Sequence, residues 1–278
     1  MYLVRKKGLF DSLSKEPYRL SRTRIDNFHK CRRCFWLEER FGIKKPASYP
    51  LTLNIAVDAL LKKEFDAHRI QASAHPLMKT YGIDAVPFAH ADMEKWRHNF
   101  TGVVYVHAPT NLHIFGAVDD IWKNKNGELI VVDYKATAKA STPTLDGDLG
   151  AQYKRQMEVY QWLLRQNGFK VSSTGYFVYV NGKKDAAAFD GKLEFDVMLL
   201  PCEGDDAWLE PTLLEIKETL ISDVFPETGN ACEYCPYREA AGRKLLEIRD
   251  QFSAKPKTKP KSAAKASEKY EEKTKSLF

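Results

Sequence analysis

Asp133 and Lys135 stand two apart in the run Val131-Val132-Asp133-Tyr134-Lys135. In an extended chain Val131, Asp133 and Lys135 share one face and Val132 and Tyr134 the other, so an acid and a lysine emerge side by side. Upstream, Gly116-Ala117-Val118-Asp119-Asp120-Ile121-Trp122 supplies two more acids, and Asn126-Gly127 between the two runs is a strong hairpin signal. The loop length sets which acid faces Asp133. A two-residue loop pairs Asp120 with Asp133. A three-residue loop, Lys125-Asn126-Gly127 with a left-handed glycine, pairs Asn124 with Glu128 and brings Asp119 opposite Asp133. Facing residues have Cβ atoms about 5 Å apart, where two carboxylates repel unless a cation lies between them. Hard carboxylate oxygens suit magnesium or manganese, and a neighbouring lysine suits an attacking hydroxide or a phosphate gaining charge. That is phosphodiester hydrolysis chemistry.

Residues 149–167 hold no proline, carry apolar residues at helical spacing and end before Gly168, which predicts a helix. Gln152, Gln156 and Tyr160 share one of its faces, a row of polar groups suited to lining a cleft. The remaining pattern predicts a helix across 52–69, strands near 102–109, 113–123, 128–135, 174–181 and 192–200, and helices near 206–222 and 237–251. The order around the acids is αβββαβ, an α/β fold with a mixed central sheet flanked by helices.

Gly116-x-x-Asp119, Asp133-x-Lys135 and Gln156-x-x-x-Tyr160, in that order, resemble the PD-(D/E)XK nuclease superfamily. Within it they are similar to the RecB-type branch, which includes the nuclease domains of RecBCD and AddAB and the CRISPR-associated adaptation nucleases. The resemblance spans roughly residues 20–240. It implies that Asp119 and Asp133 hold a magnesium or manganese ion, that the Tyr134 backbone carbonyl adds a ligand, and that Lys135 assists hydrolysis. Gln156 and Tyr160 would order the site and the strand. It also favours the three-residue loop and makes Asp120 a neighbour of the site. The branch usually carries a histidine on an earlier helix; here Asn54-Ile55-Ala56-Val57-Asp58 stands there, so Asp58 becomes the candidate ligand.

Five cysteines occur, and Cys31, Cys34, Cys232 and Cys235 form two C-x-x-C pairs about 200 residues apart. The start of the chain has only a three-residue apolar run before charge, and no run approaches membrane length, so a cytoplasmic protein without a disulfide framework is expected. Four thiolates suit zinc or an iron–sulfur cluster. The resemblance implies a cluster joining early and late cysteines, although the branch uses one early and three late. Cys202, in Leu-Pro-Cys-Glu-Gly, reads as a loop thiol.

The domain organisation expected is a nuclease-like domain over 1–253 and a disordered tail over 254–278. Residues 255–278 hold eight lysines against three glutamates, so most of the net charge of +6 belongs to the tail. Such lysines favour salt-sensitive phosphate contacts. Arg22, Arg24, Lys30, Arg32 and Arg33 alternate with Phe28, Phe35 and Trp36, which suits single-stranded nucleic acid or, equally, core aromatics beside solvated cations. No Walker-type loop is present, so a helicase motor would be a separate protein. The ending Ser276-Leu277-Phe278 resembles the peptides that dock on sliding clamps. The sequence therefore points to a metal-dependent nuclease acting on DNA, at single strands or free ends, in repair, recombination or defence. The alternative is a nucleic-acid-binding protein that keeps the fold without turnover.

Overall fold

Strand β1 (Tyr18–Ser21) runs directly into helix α1 (Arg22–Lys30) because Ser21, still extended, caps the helix by accepting from the Arg24 N–H at 3.4 Å. Cys31 breaks the helix and caps α2 (Arg32–Phe41), and Gly42 ends α2 at φ 71°. There a side chain is excluded twice over, since a Cβ would also lie 1.9 Å from the Arg5 carbonyl oxygen. The computed structural model describes residues 4–46 and 51–253; the lysine-rich tail and its Ser-Leu-Phe ending lie outside the described residues. The chain divides into two compact units, Met1–Cys232 and Glu233–Phe278.

In the first unit there follow α3 (Thr52–Ile70), α4 (Pro76–Thr80), β2 (Ala85–Pro87), α5 (Met93–Arg97), β3 (Val103–His107), β4 (Leu112–Gly116), β5 (Asp120–Asn124) and β6 (Leu129–Thr137). The unit closes with α6 (Gly147–Gln166), β7 (Thr174–Gly182), β8 (Phe195–Glu203) and α7 (Leu209–Ile221). The described part of the second unit contains one helix, α8 (Tyr234–Ser253).

The strands form a five-stranded sheet, β2-β5-β6-β7-β8, and a three-stranded one, β1-β4-β3. The larger sheet is mixed, because β6 pairs antiparallel with β5 and parallel with β7. This is the expected mixed α/β architecture. One correction concerns the strand predicted over 113–123. It is two strands in different sheets, β4 beside β1 and β3, and β5 beside β2 and β6. The break falls at Ala117-Val118-Asp119, where the Val118 N–H donates to the carbonyl of Trp96 instead of to a ladder. A second correction concerns Cys202, which is buried within β8 opposite Gly175 and is not on a loop.

Alternation along β6 divides the interior. Leu129 and Val131 join one apolar cluster with Met157, Val159, Tyr160 and Leu163 of α6, while Ile130, Val132 and Tyr134 join another with Leu61 and Phe65 of α3. Helix α6 touches β3 and β4 of the small sheet and β6 of the large one. Its second half is accordingly buried nearly all round, from Gln156 to Leu164.

Asp26 ties α1 to α6. It is 4% exposed and accepts from Arg155 at 2.9 and 2.7 Å, with the Lys30 ammonium at 3.0 Å. Burial pushes its carboxyl up, but the hydrogen bonds from Arg155 and Lys30 outweigh burial and hold it below the usual aspartate range. A depressed folded value means the stabilisation is present above the unfolded value and is lost as pH falls through the folded one. Asp26→Asn is therefore expected to cost roughly 1–3 kcal/mol at neutral pH, since both cations are partly solvated. Thermal denaturation should show the gap closing as pH drops below about 4.

Candidate active site

The hairpin register decides which acid meets Asp133. Asp120 pairs with Val132, Ile121 with Val131, Trp122 with Ile130 and Lys123 with Leu129. Extended by one residue, that register sets Asp119 across from Asp133. The turn is the three-residue form: the Asn124 N–H donates to the Glu128 carbonyl at 3.0 Å, and Gly127 sits at φ 77°. The Asn124 side chain locks it by accepting from the N–H groups of Asn126 and Glu128 at 3.0 and 2.9 Å. Asp119 is fixed at two points. Its Oδ2 accepts from the Tyr134 N–H at 2.9 Å, and its carbonyl accepts from Arg97 Nε at 3.0 Å.

Across the strand, Asp133 is fully buried and Lys135 nearly so. The Lys135 ammonium lies against Asp133 Oδ2. Gln156 bridges the cluster: its Nε2 donates to Asp133 Oδ1 at 2.6 Å and to the Tyr160 hydroxyl at 3.1 Å, and its Oε1 accepts from Lys135 Nζ at 3.3 Å. Gln152, one turn earlier, instead accepts from Lys30 on the exposed side. Gly116 has a steric reason to be glycine, since a Cβ there would lie 2.6 Å from the Tyr160 ring.

Burial pushes the Asp133 carboxyl up to about 7, with the neighbouring Asp119 charge adding to the rise and Lys135 opposing it. Burial alone would lower Lys135, but the Asp133 and Asp119 carboxylates outweigh it and hold the ammonium above its usual value. Asp133 Oδ2 remains a buried acceptor with no well-formed hydrogen bond. A hard, buried, under-satisfied oxygen beside a second carboxylate fits a divalent cation.

The profile of the PD-(D/E)XK nuclease superfamily matches residues 52–240, which is most of the chain. The chain belongs to the PD-(D/E)XK nuclease superfamily. No curated protein matches it. Among solved structures, that of SSO0001 is 16% identical and aligns over 77% of this chain and 82% of its own, with a TM-score of 0.34. At that score the likeness assigns no residue a role.

Members of the superfamily are generally metal-dependent nucleases, and the structure shows what surrounds the candidate ligands in this one. Asp58, the acid on α3, pairs with Lys62 at 2.8 Å, and the same ammonium lies 3.7 Å from Asp119 Oδ1. Burial raises the Asp58 carboxyl, and the Asp119 charge adds to the rise. Asp120 faces away from the hairpin's polar side. Fully buried, it accepts from Arg97, Arg69 and the Tyr134 hydroxyl and from its neighbour's N–H at Ile121. Arg97 Nη1 also donates to both carboxylate oxygens of Asp66, at 2.9 and 2.8 Å. Lys62, Arg69, Arg97 and Asp66 were not singled out by the sequence. Only helical spacing from Asp58 could have flagged Lys62, and nothing local marks the arginines.

The family match takes in Cys232 and Cys235 but not Cys31 and Cys34. Within the first unit, the sulfur atoms of Cys31, Cys34 and Cys232 nonetheless lie within 4.8 Å of one another, an arrangement that could bind a metal. Cys34 and Cys232 are 3.5 Å apart, and Cys31 Sγ accepts from the N–H groups of Cys34 and Gly229 at 3.4 and 3.2 Å. Gly229 permits that approach, as a Cβ there would meet the Lys30 carbonyl oxygen at 2.1 Å. In the nearby basic segment, Phe28, Phe35 and Trp36 are buried core and not a stacking surface for bases. No described helix is long and apolar enough to cross a membrane.

Proposed function

We propose that this chain is a metal-dependent nuclease of the RecB-type branch that hydrolyses phosphodiester bonds in DNA, at single strands or free ends. The observation that carries the reading is the buried Asp133–Lys135–Gln156–Tyr160 cluster set beside Asp119 by the hairpin register. Asp119 and Asp133 would hold magnesium or manganese, with the Tyr134 carbonyl and Asp58 as further oxygen donors. When bound, such an ion polarises the phosphate and lowers the pKa of water. The chain's own groups do the rest. Gln156 fixes the Asp133 carboxylate through Oδ1 and leaves Oδ2 toward Lys135, which keeps a positive charge where the phosphate gains negative charge. The Tyr160 ring packs closely on Gly116 behind them. Service in repair, recombination or defence, in the cytoplasm and alongside a separate helicase, belongs to this reading. A lysine-rich tail ending in Leu277-Phe278 suits recruitment to DNA and to a sliding clamp.

One observation favours the non-catalytic reading: each candidate acid already has a lysine beside it, Lys62 at Asp119 and Lys135 at Asp133. Purified full-length protein on end-labelled single- and double-stranded oligonucleotides separates the two. Cleavage that requires magnesium or manganese supports the nuclease. Binding without cleavage in either metal supports the alternative.

The cysteines serve structure in this proposal, as a site for zinc or an iron–sulfur cluster. Sulfurs around one tetrahedral zinc stand about 3.8 Å apart, given Zn–S bonds of about 2.3 Å, so the observed spacing favours a single ion; a cluster of several irons would hold them further apart. Anaerobically purified protein should contain one metal per chain. Visible absorption would assign iron, and a colourless, zinc-loaded protein would assign zinc. Cys31→Ser is expected to release the metal and lower the melting temperature while leaving Asp119 and Asp133 in place.

A further inference from the structure

Arg22 has no place in the site as described, yet the topology delivers it there. Strand β1 ends at Ser21 opposite Phe115, so Arg22 begins α1 beside Gly116, the glycine against which the Tyr160 ring packs. Its side chain is half-buried and its Nε is fully buried without a hydrogen-bond partner. Among the described residues no carboxylate pairs with it. The neighbouring cations are all engaged: Arg19 on the Phe100 carbonyl, Arg24 on Glu39 and Lys30 on Asp26. Leaving a buried charged donor unpaired is costly, and such a group persists where a ligand completes it.

Asp133 Oδ2, a buried acid oxygen in the same site, has the Lys135 ammonium against it but no hydrogen bond of good geometry. Arg22 and Asp133 have opposite charge and are close enough for the Arg22 charge to act on both Asp133 and Tyr160, yet no ion pair joins them. An unpaired guanidinium beside two acids that suit a cation fits a ligand that is cationic at one end and anionic at the other, as a metal-bound phosphate is. A guanidinium offers donors in a planar fork that matches two phosphate oxygens, which an ammonium cannot do.

We propose that Arg22 is the phosphate-binding arginine of this site, donating to the non-bridging oxygens of the DNA phosphate presented to Asp119 and Asp133. The identity of the phosphate as DNA rests on the nuclease reading; the contact itself does not require turnover. It is tested on the full chain with Arg22→Ala and Arg22→Lys. With a single-stranded oligonucleotide and manganese, Arg22→Ala should lose about 10²–10³-fold in kcat/KM, and Arg22→Lys should recover only part because it cannot make the fork. In calcium, without cleavage, the slope of log affinity against log salt should fall by about 0.7 in Arg22→Ala and stay unchanged in Arg22→Lys. Manganese affinity should match wild type in both. If wild type binds but does not cleave, the nuclease reading fails while the salt slope still decides Arg22. A wild-type slope in Arg22→Ala overturns the proposal, as does loss of manganese binding together with turnover, which would make Arg22 a structural support. If Arg22→Ala does not fold, wild-type kcat/KM in Arg22→Lys overturns it and a loss of tenfold or more supports it.

Discussion

Lys135→Met and Asp133→Asn should each lower turnover by roughly 10²–10⁴-fold, while DNA binding survives. The two side chains form a buried pair, so each single change leaves an uncompensated group behind. With the ammonium gone, Asp133 keeps only Gln156 as partner and takes up a proton, which removes its capacity for metal. With the carboxylate gone, Lys135 retains a hydrogen bond to Gln156 Oε1 and the faces of Tyr153 and Phe177. Both singles should therefore melt earlier than wild type. The double variant, having no unpaired charge, should melt later than either single yet be equally inactive. Thermal denaturation and the cleavage assay measured on the same four proteins test this. A double variant no more stable than the singles would show that the pair is not coupled, and full activity in Asp133→Asn would remove it from the site.

Asp120→Ala should be the most destabilising single change at the hairpin, at about 3–5 kcal/mol. Its carboxylate is the shared acceptor for Arg69, Arg97 and the Tyr134 hydroxyl, and truncation leaves two nearly buried guanidinium groups facing each other. Burial and the Asp120 charge together push the Tyr134 hydroxyl well above its usual value, so it remains a donor throughout the neutral range. Asp119→Ala should behave oppositely. Asp119 is about a quarter exposed, so its loss should change stability by less than about 1 kcal/mol and abolish turnover. Denaturant melts paired with cleavage rates separate the two neighbours. A stable, inactive Asp120→Ala beside an unstable, active Asp119→Ala would mean the register had been misassigned.

Much of the candidate site's arrangement was legible in the chain because its rules are local. Strand alternation places Asp133 and Lys135 on one face whatever surrounds them, and helical spacing stacks Gln156 above Tyr160. The turn chemistry of Asn124 to Gly127 narrows the facing acid to Asp119 or Asp120, and only the formed ladder selects Asp119. The paired C-x-x-C spacing likewise suggests a thiolate site without saying whether the sulfurs meet, and tertiary structure brings those of Cys31, Cys34 and Cys232 together. What the sequence could not decide depends on partners distant in the chain. The continuous strand expected over 113–123 is split because its two halves find ladders in different sheets, and no local propensity encodes a partner. Phe28 and Phe35 of the basic segment turn inward, since α1 and α2 bury them against the core. Arg97 and Arg69 reach Asp120 from 23 and 51 residues away. Arg22 enters the site only because β1 joins the small sheet beside β4. Sequence spacing fixes which side chains share an element's face; which faces meet is set by burial and pairing between elements, and the charges that surround the two acids are settled there.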